Sequence, residues 1–182
     1  FQSPKYFAHS MQSLRKYLAF PYARASKVRD NFPELDSPNT VTLHVRRGDY
    51  VGYSDVYAVL EVEYYQVAIS QFSNIETVIV VSDDIMWCQR HLDPLLPFRK
   101  LYSLSDELED FVLMMLSKKL IVANSTFSWW AAFLKRLYTD IPDFRSEAKV
   151  VAPTRWYNSS GSLGYLNDNT DLCLPHWICI PN

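Results

Sequence analysis

The sequence predicts an α/β fold built on a mostly parallel sheet, and three observations carry that expectation. From residue 40 onward, strand-like segments alternate with segments of helical periodicity, the pattern of successive βαβ units. Thr77-Val78-Ile79-Val80-Val81 is an almost uninterrupted apolar run, as expected of a strand covered on both faces. Of 182 residues, 48% are hydrophobic and 21% charged, which suits one globular domain with its own core, or part of a larger protein.

Taken in order, residues 5–19 read as a helix with Phe7, Met11, Leu14 and Leu18 on one face, ended by Pro21. A polar, proline-containing stretch from Phe32-Pro33-Glu34 to Ser37-Pro38-Asn39 reads as a linker, which separates residues 1–39 from residues 40–182. Residues 41–45 alternate as a strand, and a helix follows near 58–72 with Val62, Tyr65, Ile69 and Phe72 on its stripe. The strand at 77–81 leads to a short helix near 84–92 and a strand around Lys100-Leu101-Tyr102. A helix near 105–118 places Leu108, Phe111, Val112 and Met115 at helical spacing behind acidic Asp106 and Glu107. Leu120-Ile121-Val122 is a further buried strand. The helix at 126–138 carries Phe127, Trp130, Ala131, Leu134 and Tyr138, with Trp130 expected to face inward. Lys149-Val150-Val151-Ala152 closes the series before Pro153.

Charge and composition exclude some functions. A net charge of −2 argues against general nucleic-acid binding, so any anion site must be local. No run approaches the length of a membrane-spanning helix, which limits expected membrane contact to the periphery. Cys88, Cys173 and Cys179 have no metal-ligand spacing, and an odd, sparse set points to a reducing compartment. Asn124-Ser-Thr and Asn158-Ser-Ser match the glycosylation pattern, a match short enough to arise by chance. The chain begins at Phe1 rather than Met, so an N-terminal piece is expected outside it.

Three groups of residues carry candidate chemistry. His44-Val45-Arg46-Arg47-Gly48-Asp49-Tyr50 ends the first strand, at the edge where open α/β sheets bind ligands. Alternation puts Thr42, His44 and Arg46 on one face and Val41, Leu43 and Val45 on the other. Arg46 is therefore the candidate phosphate clamp, since a guanidinium fork grips phosphate and keeps its charge. Arg47 points the other way, where Asp49 could pair with it; the bland alternative is a solvated turn with a surface ion pair. Asn124-Ser125-Thr126-Phe127-Ser128 lies between a strand and a helix, with its hydroxyls massed where helix N–H groups attract anions. N-capping explains one of these polar residues but not four. Asp83-Asp84, after the strand at 77–81, suits a ribose hydroxyl, a guanine edge or a metal, against the alternative of an acidic helix cap.

Taken together, HVRRGDY (44–50), VSDD (81–84), ANSTFSWWAAFL (123–134) and VAPTRWY (151–157) resemble the galactoside α-1,2-fucosyltransferase family. FQSPKYF (1–7) and Leu174-Pro175-His176-Trp177-Ile178 are also similar to segments of that family, and the ANSTFSWW form is similar to its bacterial members. The resemblance implies a Rossmann-like, GT-B-like architecture and inverting transfer of L-fucose from GDP-fucose to the 2-hydroxyl of a β-galactoside-terminated glycan. It implies no metal cofactor and a cytoplasmic location, at most at the inner face of the membrane. By motif, Arg46 holds the β-phosphate, His44 contacts the nucleotide or diphosphate, and Asp49 braces the arginines. Arg47, Asp83, Asp84 and the turn from Asn124 through Ser125, Thr126 and Phe127 to Ser128 complete the donor site. The general base is either Asp49 or a residue outside the chain.

The chain departs from the family in lacking its glycine-rich Gly-Gly-Leu-Gly-Asn-Gln segment; the four glycines are 48, 52, 161 and 164. Lys118-Lys119 also stands where a Cys-x-His often precedes the Ala-Asn-Ser-Thr run. The expected division is thus a remnant of the acceptor side and linker at 1–39, and a GDP-fucose-binding domain at 40–182. The alternatives are a noncatalytic nucleotide-sugar-binding module and a plain α/β interaction domain.

Overall fold

The computed structural model describes residues 3–138, 148–168 and 170–182. Six strands, β1 (Thr40–Val45), β2 (Thr77–Ser82), β3 (Arg99–Tyr102), β4 (Lys119–Ile121), β5 (Lys149–Pro153) and β6 (Ile178–Ile180), form one sheet. Their order is β3-β2-β1-β4-β5-β6 and every pairing is parallel, a Rossmann-like, doubly wound arrangement. The winding reverses between β1 and β4, and the C-terminal ends of these neighbours open a crevice there.

Each face of the sheet is covered, as parallel strands require. On the first face, Val41, Leu43, Val45, Val78 and Val80 are buried against Tyr64, Tyr65 and Ala68 of helix α4 (Val62–Ile69). On the second, Ile79, Val81, Leu120 and Val122 are buried with α6 (Glu107–Leu116) and α7 (Thr126–Leu134). Thr42 points to the second face, where its hydroxyl accepts from Ser117 at 2.6 Å. The alternation expected for β1 therefore holds residue by residue.

α7 departs from its expected stripe. Trp129, not Trp130, is the fully buried indole; it stacks on Phe133 at 5.1 Å and its Nε1–H donates to Leu172 O at 2.9 Å. The cause is depth: α7 is wrapped by α6 and by the segment around Leu172, Leu174 and Trp177, so it buries most of its circumference and one stripe does not describe it.

The N-terminal region is shorter in helix and better packed than expected. The 3-10 turns Pro4–Tyr6 and Ala8–Ser10 precede α1 (Met11–Tyr17); Phe7, Met11 and Leu14 pack on the second-face core, while Leu18 is 41% exposed. A helix not expected from the sequence, α2 (Tyr22–Asn31), buries only Ala25 and Val28, too few apolar positions to mark a stripe. The proline-containing stretch is not extended. It makes a 3-10 turn, Pro33–Asp36, with Phe32 and Leu35 buried in the same core. β6 is three residues long and escaped notice for that reason. The odd, sparse cysteine set, which pointed to a reducing compartment, contains a bonded pair. Cys173 and Cys179 are joined in a disulfide with Cα atoms 6.2 Å apart, and only Cys88 among the described residues is a free, buried thiol.

Candidate functional site

A cleft of about 650 Å³ opens at the C-terminal ends of β1, β2 and β4, at the point where the winding reverses. Its first wall is the end of β1. Arg46 lies there with Nη2 2.5 Å from Asp49 Oδ1 and Nη1 2.8 Å from Asp83 Oδ2. The register that pairs Val45 with Ser82 brings Asp83 across from Arg46. The backbone N–H of Arg47 donates to Asp83 Oδ1 at 2.8 Å, which holds that carboxylate from its other side. Gly48 leaves room for this carboxylate: a Cβ there would stand 2.5 Å from Asp83 Oδ2 and push the carboxylate aside.

His44 forms part of the floor, only 5% exposed, with its ring 5.9 Å from that of Phe127. Its Nδ1 is buried without a hydrogen-bond partner among the described residues. Burial first, and then the neighbouring Arg46 charge, bring its pKa down to about 3, so the imidazole is neutral. Tyr50 sits below Arg46, with the guanidinium 5.2 Å from the ring centroid, and stacks on Tyr57 at 4.0 Å. Its hydroxyl donates to Asn124 O at 3.2 Å and thereby ties the end of β1 to the start of α7. Burial, with Tyr57 beside it, pushes its pKa up to about 12, so the phenol keeps its proton.

The second wall is the N-terminus of α7, where Ser125, Thr126 and Phe127 line the cleft. Ser125 occupies the cap position, yet its side chain does not cap the helix. The capping alternative therefore fails for this residue, and the cleft lies at the positive end of the α7 dipole, where a helix's first N–H groups have no intrahelical acceptor.

Four expected site residues lie elsewhere. Arg47 donates to Leu60 O at 3.1 Å, pairs with Glu61 at 3.3 Å and lies 3.9 Å from the Trp87 ring centroid, because strand parity turns it to the opposite face. Asp49 does not pair with Arg47. The short helix α3 (Gly48–Gly52) lifts it beside Arg46, three positions back. Asp84 caps α5 (Ile85–Trp87), accepting from Trp87 N at 3.0 Å. Asn124 is buried and donates to Ala58 O at 2.7 Å and Trp156 O at 2.8 Å, and the Ser128 hydroxyl donates to Ser125 O at 3.3 Å. These side chains hold the scaffold in shape.

The cleft also contains residues the sequence did not single out: Tyr57, Ser82, Ser105, Glu107 and Asp110. Glu107 read as an acidic first turn of a helix, which it also is, and Tyr57 lies in a loop with no periodic signal. Burial raises the Asp110 carboxyl above the usual carboxylate range, and Ser103 donates to it. No group of three His, Cys, Asp or Glu among the described residues is arranged to hold a metal ion. None of the described helices is long and apolar enough to cross a membrane.

Comparison with known proteins supplies the family. The chain is 30% identical to the O-antigen biosynthesis glycosyltransferase WbnK of Escherichia coli, over 79% of this chain and 45% of that protein. It is 28% identical to an alpha-1,2-colitosyltransferase of Escherichia coli, over 98% of this chain and 60% of that protein. It thus spans about half the length of the curated relatives it matches. No solved structure matches it. The family model for glycosyl transferase family 11 matches residues 1–177, and the chain belongs to that family.

Proposed function

We propose that the cleft binds the diphosphate of GDP-fucose and that the protein transfers L-fucose, with inversion, to the 2-hydroxyl of a galactoside. The observation that carries this reading is the meeting of Arg46 with the N-terminus of α7 at one cleft, a cation and the positive end of a helix dipole together. A relative that forms an α-1,2 linkage supports the linkage. Departure of GDP places negative charge on the β-phosphate, and a fixed guanidinium with helix N–H groups stabilises that charge without a metal. Each charge-assisted bond contributes about 1.5–3 kcal/mol. Ser125 and Thr126 add donors at the same end, neutral His44 contacts the donor from the floor, and Asp83 faces the nucleoside. Residues 40–182 form the donor-binding half of a GT-B-like enzyme, on whose core the segment before residue 40 packs.

Calorimetric titration with GDP tests the reading, with Arg46→Ala beside the unchanged protein, followed by transfer from GDP-fucose to a β-galactoside with and without chelator. GDP affinity that survives Arg46→Ala would remove the central claim. Binding without transfer would favour a noncatalytic donor-binding module, a reading to which the chain's partial coverage of its relatives lends weight.

A further inference from the structure

We infer that Asp49 is a latch on Arg46 that the donor diphosphate displaces, and that the freed carboxylate then takes the proton of the acceptor hydroxyl. The inference rests on the reading of the cleft as a diphosphate site. Arg46 is engaged on both Nη atoms, one by Asp49 and one by Asp83. The two carboxylates hold the Nη edge of the guanidinium, and a diphosphate that grips this edge with both forks competes with them for it.

The two carboxylates are not equally replaceable. Asp83 has a second anchor, the backbone N–H of Arg47 at 2.8 Å, and is wedged against Gly48; its side chain is 26% exposed. The Asp49 side chain is 53% exposed, and its carboxylate is held by Arg46, with no second anchor of that kind among the described residues. Asp49 is therefore the one that yields. Once displaced it stays in the cleft, because its backbone is fixed in α3 and its side chain lines the same wall.

Charge then gives the freed group its task. With a diphosphate seated, an unpaired carboxylate close by is repelled by it, and accepting a proton relieves that repulsion. The step balances. The acceptor O–H proton passes to Asp49 Oδ, and the acceptor oxygen bonds to the anomeric carbon. The bond from that carbon to the β-phosphate oxygen breaks, with its electron pair leaving on GDP. The latch also imposes an order, donor before acceptor.

A bracing role and a latch role for Asp49 predict opposite signs. If Asp49 merely positions Arg46, removing its charge weakens GDP binding. If it competes with the donor, Asp49→Asn and Asp49→Ala bind GDP about threefold tighter, the scale of an exposed ion pair. In both variants kcat for transfer falls at least about 100-fold, the scale of a lost general base. Titration of the intact protein with GDP, plus initial rates of transfer, reads both quantities. Equal or weaker GDP affinity in the variants overturns the latch, and retained kcat overturns the proton transfer. An unchanged protein that does not bind GDP overturns the donor-site reading itself, a separate result. The half-exposed position of Asp49 and the use of two variants keep a folding defect from imitating either outcome.

Discussion

The two walls of the cleft are built on different principles. The end of β1 works through side-chain charge, with Arg46 between Asp49 and Asp83. The start of α7 works through backbone N–H groups and hydroxyls, with no charged residue in its first turn. At each wall, neighbouring residues divide between cleft and scaffold: Arg46 from Arg47, and Ser125 from Asn124 and Ser128. Chemistry written in one run of sequence is thus distributed by geometry, and only part of a motif need touch a ligand.

Four measurements sharpen or break this contrast. The largest effect is expected for Arg46→Ala, with transfer reduced about 10²–10³-fold, the range for removing one fixed electrostatic donor, and little change in thermal midpoint. A comparable fall in stability would merge Arg46 with the scaffold. Arg47→Ala should do the reverse. It removes the contact with Trp87 and the bond to Leu60 O, and denaturant unfolding should show a loss of about 2–3 kcal/mol. Loss of GDP affinity without loss of stability would return Arg47 to the donor site.

His44 supplies a pH signature. Its folded pKa of about 3 lies below the ordinary value of 6.5, so between these limits the unfolded chain binds the extra proton. Its neutral form therefore contributes stability above about pH 6.5 that is lost as pH falls, with a slope approaching about 1.4 kcal/mol per pH unit. The difference in unfolding free energy between the unchanged protein and His44→Gln should display this slope; a flat difference from pH 6.5 to 5 contradicts a buried, neutral His44. The smallest effect belongs to Tyr50→Phe, which removes only the hydroxyl that ties the walls together. A cost of about 1 kcal/mol in stability is expected, with a rise in donor KM larger than the fall in kcat. No change in either would show the walls to be independent.

Much of the fold was legible because its signals are local. The runs at 77–81 and 120–122 are β2 and β4, and the parity of His44 and Arg46 against Val45 survives in the structure. What misled was what local pattern does not encode. The proline-containing stretch looked like a linker until Phe32 and Leu35 found a core to enter. The helical stripe favoured Trp130 over its neighbour, and only the wrapping around α7 put Trp129 inside instead. Tyr57 carried no sequence signal, yet it completes a stack beneath Arg46.

By itself the sequence determined five of the sheet's strands, which way the side chains of β1 alternate, and which two runs carry anion-binding chemistry. These follow from backbone periodicity and residue type, properties of neighbours along the chain. The tertiary structure alone decided that β1 and β4 lie side by side, so that the Arg46 wall faces the α7 wall across one cleft. It also decided that Asp49 and Asp83, rather than Arg47, are the partners of Arg46. The reason is physical: strand order and ion pairing come from burying helices on both faces of a twisted sheet, a balance of contacts between residues far apart in the chain.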